Sequence, residues 1–277
     1  MQNQSIQQAF VDFYREYSNV TVNQDMVTLN NPSPQILKMG KEKDIPLIQF
    51  CPPRVRPSDF FAVLNQVAGI IQRYKPDLAD EIVRFQTSLP GEPETQELFV
   101  SQALTPGDNS TADIKGDVSP ETFTFLLNHA VKPFMREYGK KLSSFYDPEQ
   151  WLKGNCPVCG GRPTIALLNK DTGMRYLYCG LCEVKWRYHR LGCPYCLDNE
   201  SQFFTVEGMD KYRVYFCDKC RGYIKTIDEK KLNCNNLGNK PLDLFWEDII
   251  TVQLDMLAMQ EGYFNQQVDE TAKETVK

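Results

Sequence analysis

At 277 residues, with 42% hydrophobic, 24% charged and 12% aromatic side chains, the chain has the make-up of a soluble globular protein long enough for two domains. No run approaches the roughly eighteen apolar residues of a spanning helix. The opening MQNQSIQQAF lacks a basic region and an apolar core, so no export signal is visible and a cytoplasmic location away from membranes is expected. The net charge of −5 divides unevenly: residues 1–150 carry −5, residues 151–236 carry +5, and residues 237–277 carry −5.

The first 150 residues read as helical. SIQQAFVDFYREY sets Ile6, Phe10, Phe13, Tyr14 and Tyr17 at helical spacing behind Ser5 as N-cap. NNPSPQILKMGKEKDIP reads as a connector. SDFFAVLNQVAGIIQRY begins after Pro57, and Pro76 ends it before DLADEIVRFQTSL. Residues 107–117, GDNSTADIKGD, have loop composition. SPETFTFLLNHAVKPFMREYGKKL opens with Ser at N-cap and Pro at N1, and its internal Pro133 predicts a kink. DPEQWLKG repeats the cap-then-proline signal and predicts a short helix ending at Gly154.

From residue 156 the pattern changes to short strands. PTIALLN and MRYLYC flank the turn residues Lys170 to Gly173, and FFTVE and YRVYFC flank Gly208 to Asp210, which predicts two hairpins. After Cys234 the pattern is helical again. Pro241 opens LDLFWEDIITVQLDMLAMQEGYF, and the final residues look frayed.

The cysteines carry the chemistry. The middle region aligns on itself at about 37 residues, CPVC at 156–159 with CPYC at 193–196, and MRYLYCGLC at 174–182 with YRVYFCDKC at 212–220. The repeat unit is therefore CPxC, hairpin, CxxC, with a third strand from 184–190 in one copy and 222–227 in the other. This is the zinc-ribbon or rubredoxin-like pattern, in which four thiolates close tetrahedrally on one ion and support a fold whose own core is small. Sequential pairing of the knuckles is favoured, and a cross-brace stays open because spacing alone permits it. Zinc and mononuclear iron both suit four thiolates, in a structural or a redox-active role. A thioredoxin-type dithiol accounts less well for two matched units. Cys51 and Cys234 fall outside the repeat and read as ordinary cysteines.

Eight thiolates and two dications add roughly −4 to the +5 of residues 151–236, leaving that region near neutral, so a nucleic-acid partner is not expected. No GxSxG, phosphate-binding Gly-rich loop or HExxH is present, and the two histidines, His129 and His189, lie far apart; no catalytic residue is assigned. His129 reads as a packed or exposed helix residue rather than a ligand.

CPVCGGRP at 156–163, YLYCGLCEVKWRYHRLGCPYC at 176–196, YFCDKCRGYIK at 215–225 and PLDLFWEDIITVQLDMLAMQEGYF at 241–264 resemble the formate dehydrogenase accessory protein family, FdhE. The likeness is specific over residues 151–264 and loose over 1–150. One departure is visible: where the family usually has Glu-Trp-His after the second knuckle, Lys185-Trp186-Arg187 stands here, with His189 two residues on. The resemblance implies a cytoplasmic, non-enzymatic maturation factor that binds the catalytic subunit of a molybdenum- or tungsten-dependent formate dehydrogenase. It also implies iron in rubredoxin-like sites, the ligands being Cys156, Cys159, Cys179, Cys182, Cys193, Cys196, Cys217 and Cys220. Trp186, Tyr188, His189 and Arg190, between the two units, are the candidate partner contacts. A rubredoxin-like electron-transfer protein and a zinc-ribbon nucleic-acid binder are the alternatives, and self-association is left open.

The expected architecture is α+β. It has an all-α domain over 1–150, tandem four-cysteine ribbons over 151–192 and 193–236, a C-terminal helix on the body over 237–265, and a disordered tail over 266–277.

Overall fold

A computed structural model describes residues 2–105, 118–232 and 242–265. The loop expected at 107–117, Cys234, Pro241 and the tail at 266–277 lie outside the described residues. The fold is mixed α and β, in two compact units: residues 1–36 with 47–142, and residues 37–46 with 143–277.

The first unit is helical. It contains α1 (Gln2–Tyr17), α3 (Pro57–Tyr74), α4 (Ala79–Thr87), α5 (Pro93–Ala103) and α6 (Pro120–Leu142), while α2 (Pro34–Lys43) runs from this unit into the other. The helix α2 replaces the connector expected there. Ser33 Oγ accepts from the Ile36 amide at 3.3 Å and Pro34 presets φ at the first position, so the segment carries its own start signal. The central pair is α3 against α6. Phe60, Leu64, Val67 and Ile71 of α3 are buried, and Phe60 stacks on Phe134 of α6 at 5.7 Å between ring centroids.

Pro133 does not end α6, which runs unbroken to Leu142. A proline at that position cannot donate to the carbonyl four residues earlier, that of His129. Tyr17 Oη donates to this carbonyl at 2.8 Å and replaces the lost bond. His129 itself is partly buried. Its Nδ1–H donates to the Phe125 carbonyl at 2.7 Å, so neutral Nε2 accepts from Tyr14 Oη at 3.2 Å. It packs against the rings of Phe13 and Tyr17, which decides for the packed reading over the exposed one.

The helix expected in DPEQWLKG is absent. Asp147 Oδ1 accepts from the Glu149 amide at 2.9 Å, which makes a turn, and Leu152 takes a left-handed φ of 51° that no helix continues.

The second unit is built on one six-stranded sheet. Its strands are β1 (Pro163–Leu168), β2 (Arg175–Cys179), β3 (Lys185–Tyr188), β4 (Gln202–Phe204), β5 (Tyr212–Phe216) and β6 (Tyr223–Asp228), in the order β3-β2-β1-β6-β5-β4. Each repeat is an antiparallel three-stranded ribbon. The ribbons join through β1 and β6, which pair in parallel from Ile165↔Lys225 to Leu168↔Asp228. Equivalent strands of the two repeats therefore run in the same direction. The outer edge of β3 is already occupied: the Arg187 amide donates to the Pro148 carbonyl at 2.7 Å, and Tyr146 Oη donates to the Lys185 carbonyl at 3.1 Å.

The C-terminal helix is two short helices, α7 (Leu244–Ile250) and α8 (Val252–Gln260), separated at Thr251. Asp243 caps α7 by accepting from the Trp246 amide at 3.0 Å. The break serves an ion-pair cluster on the sheet. Lys225 of β6, 2% exposed, reaches Asp248 of α7 at 2.8 Å and Asp255 of α8 at 2.6 Å. Burial opposes its charge, but the two carboxylates outweigh that and raise its proton affinity.

Burial lowers the pKa of His129 to about 4, from about 6.5 in the unfolded chain. Unfolded chains therefore take up a proton that folded chains refuse. The stability from neutral His129 is complete above pH 6.5 and is lost as pH falls toward 4, by at most about 3 kcal/mol. Urea denaturation at pH 7 and pH 4.5 should show a smaller acid loss for His129→Gln than for the parent; equal losses would contradict it.

Candidate metal centres

The eight repeat cysteines gather into two groups, each with its four sulfurs within 4.8 Å of one another: Cys156, Cys159, Cys179, Cys182, and Cys193, Cys196, Cys217, Cys220. The pairing is sequential, so the cross-brace is ruled out for this fold. In the first group Cys156 and Cys182 lie 3.5 Å apart, as do Cys159 and Cys179; in the second, Cys193–Cys220 is 3.5 Å and Cys196–Cys217 is 3.6 Å. A disulfide needs about 2.05 Å, whereas metal–sulfur bonds of about 2.3 Å give tetrahedron edges of about 3.8 Å. The arrangement suits a tetrahedral ion.

The four knuckles share one backbone turn. Hydrogen bonds from Gly160 N to Cys156 O, Glu183 N to Cys179 O and Leu197 N to Cys193 O close three of them at 3.0 Å each. In all four knuckles the residue after the second cysteine has positive φ: Gly160 at 77°, Glu183 at 62°, Leu197 at 62° and Arg221 at 57°. Only the first is glycine. The other three side chains are held in the left-handed region by the turn, at a cost of roughly 1 kcal/mol each. This shared conformation was not readable from residue identity.

Two close approaches fix the first group and its neighbour. A Cβ on Gly161 would sit 3.3 Å from Cys159 Sγ and 3.5 Å from Cys179 Sγ, so the backbone passes directly beside the sulfurs. A Cβ on Gly154 would lie 1.9 Å from the Pro194 carbonyl oxygen, so only glycine lets the lead-in to the first knuckle touch the third. Tyr195, between the cysteines of that third knuckle, donates to the carbonyls of Pro163 at 3.1 Å and Tyr223 at 3.2 Å, the first residues of β1 and β6. The second ribbon's knuckle thus closes the start of the parallel join.

Burial raises the proton affinity of the Cys182 and Cys193 thiols and takes Cys220 to about 11, whereas hydrogen bonds from its three neighbouring thiols hold Cys179 well below the usual thiol range. As thiolates the four sulfurs of a group would need a cation between them, and its uptake would release protons. The first group is wholly buried, whereas Cys196 and Cys220 of the second are half-buried.

Of the partner candidates, Trp186 and Tyr188 are not on the surface. Trp186 is 0% exposed with its indole donating to the Lys153 carbonyl at 2.7 Å, and Tyr188 is 4% exposed with Oη donating to the Cys193 carbonyl. Alternation along β3 explains this: both point to the packed face of the sheet. His189 and Arg190, just past the strand, are exposed. Cys51 is buried in the first unit, in neither cluster, and its carbonyl accepts from Tyr138 Oη at 2.9 Å.

The sequence profile of the FdhE central domain matches residues 155–190, which span the first cluster and β3. A "Protein FdhE homolog" of Aquifex aeolicus is 31% identical over 157 residues, 54% of this chain and 52% of that protein. The resemblance to the FdhE family holds. A Shewanella oneidensis FdhE homolog is 24% identical over 234 residues, covering 83% of this chain and 71% of its own. Protein FdhE of Escherichia coli (O9:H4, strain HS) is 26% identical over 208 residues, covering 70% and 60%. The chain thus spans about half the length of the Aquifex relative, and more of the others. The crystal structure of the FdhE protein from Pseudomonas aeruginosa shares the fold, with a TM-score of 0.54 at 19% identity over 87% of this chain and 80% of that one.

Two substitutions probe the knuckle geometry, read by urea denaturation. Gly154→Ala should destabilise the second unit by about 3 kcal/mol or more, because the obstruction is backbone. Leu197→Gly, at a side chain 66% exposed, should stabilise by up to about 1 kcal/mol through relief of the left-handed strain. The opposite signs would overturn the account.

Proposed function

We propose that the chain is an accessory factor for maturation of a molybdenum- or tungsten-dependent formate dehydrogenase, acting by binding the enzyme's catalytic subunit. In this reading Cys156, Cys159, Cys179 and Cys182 hold one mononuclear iron or zinc ion, and Cys193, Cys196, Cys217 and Cys220 hold a second. The observation that carries it is the closure of both clusters. Four sulfurs fill a tetrahedron and leave no open position for a substrate, which suits a scaffold or an electron site better than a hydrolytic centre. The likeness to FdhE proteins supplies the client. His189 and Arg190, with the neighbouring Leu191 at 62% exposed, are the surface residues at the seam that would meet it. No nucleic-acid or membrane partner is part of this proposal; among the described residues no helix is long and apolar enough to cross a membrane.

The half-buried Cys196 and Cys220 favour one alternative, electron transfer through the second centre if it holds iron. Metal analysis of purified protein separates the two: a zinc-only, redox-silent protein excludes electron transfer. For the accessory role, a deletion strain should lose most formate dehydrogenase activity while keeping its transcript. Complementation with Cys156→Ser or Cys193→Ser should restore less than about a tenth of the activity. Full activity in the deletion strain would refute the proposal, and pull-down of a molybdenum or tungsten oxidoreductase subunit by the tagged protein, weakened by Arg190→Glu, would support it.

A further inference from the structure

Arg175 opens β2 of the first ribbon, yet its side chain serves the second. It is 0% exposed, and its Nη1 donates at 3.0 Å to the carbonyl of Gly192, the residue before Cys193. Its guanidinium carbon lies 5.1 Å from the centre of the Tyr215 ring and 5.8 Å from that of Tyr188. Nε and Nη2 have no hydrogen-bond partner among the described residues. Arg175 also lines a small cavity, about 10 Å³, with Cys193, Ser201, Tyr215 and Cys217; it has room for about one water molecule.

A guanidinium does not give up its proton in a protein, so burying one demands negative charge nearby. The matching residue of the second repeat, Arg213, pairs with Asp228. Lys225, the other fully buried cation among the described residues, pairs with Asp248 and Asp255. Arg175 has no carboxylate ion pair among the described residues; burial lowers its proton affinity, and Tyr215, Tyr188, Tyr195 and Cys193 are among the groups near enough to oppose that. Tyrosine faces supply part of the attraction. The second four-cysteine cluster, two of whose members share the cavity, would supply the rest once loaded, because four thiolates around a dication carry about −2. Lys219 also lies near Cys196 and Cys217, but it is 68% exposed and paired with Asp198, so water screens it.

We infer that Arg175 is the buried counter-charge of the second four-cysteine centre, contributed by the first ribbon to its neighbour. Metal affinity at the second centre then depends on a side chain outside its own repeat, whereas the first centre is independent of it. This rests on the metal occupancy proposed above.

The test is cobalt(II) titration of the metal-free full chain against a competing chelator, following the thiolate-to-cobalt charge-transfer band. Cys196→Ser marks the step that belongs to the second centre. Parent protein should take up two ions, Arg175→Met should lose at least tenfold affinity in the second-centre step alone, and Arg175→Lys should stay within about threefold of the parent. If Arg175→Met gives no folded protein, Arg175→Gln, neutral but still able to donate to Gly192, takes its place with the same expected loss. Unchanged affinity in the neutral variant, or equal weakening of both steps, overturns the counter-charge role and leaves Arg175 a packing residue. A parent chain that binds no cobalt overturns the metal reading itself.

Discussion

Eight sulfurs, drawn into two sets of four at 3.5 to 3.6 Å along their nearest pairs, constrain most of what the second unit can be. Each set ties the start of a hairpin to its return strand. Three-stranded ribbons of this size enclose little apolar volume of their own, so an ion held by each set would stand in for core. The same closure demands a left-handed residue after each second cysteine, and three of the four knuckles accept that strain on a residue other than glycine.

Around that constraint the unit is held by contacts that cross from one repeat to the other. Strands β1 and β6 pair in parallel, Tyr195 donates to the first residue of each, and Gly154 lets the approach to the first knuckle press on Pro194 of the third. Lys225 draws α7 and α8 onto β6 from the other end of the sequence. Buried charge is thus answered locally at Lys225, and at Arg175 by aromatic faces and the neighbouring cysteines. The two ribbons thereby form one continuous six-stranded sheet.

Much of this was legible. The hairpins and the 37-residue repeat followed from spacing, which favoured sequential grouping of the cysteines but left a cross-brace open until the structure decided it. Helices α1, α3 and α6 of the first unit followed from apolar periodicity and proline–cap signals, whereas α5 (Pro93–Ala103) was not read. Where the reading missed, local signals were outweighed. DPEQWLKG has a helix start, but Asp147 turns the chain and Leu152 reverses its φ. The connector at 30–46 hides α2: its Pro and Lys residues read as linker, and the Ser33 cap that starts the helix was not read. Trp186 and Tyr188 were aromatic and therefore plausible anchors, yet alternation on β3 turned both inward.

The sequence alone determined that eight cysteines in two matched units are the candidate ligands, because thiol spacing and hairpin length are local properties of the chain. It also carried the likeness to the FdhE family in the same residues. Tertiary structure decided what lies between the sites. That β1 meets β6, that Pro133's lost hydrogen bond is replaced by Tyr17, and that Arg175 buries beside the other repeat's cysteines are contacts between residues from 17 to more than 100 positions apart. No periodicity encodes such pairings; they follow from which surfaces and unpaired polar groups remain once the local elements have formed.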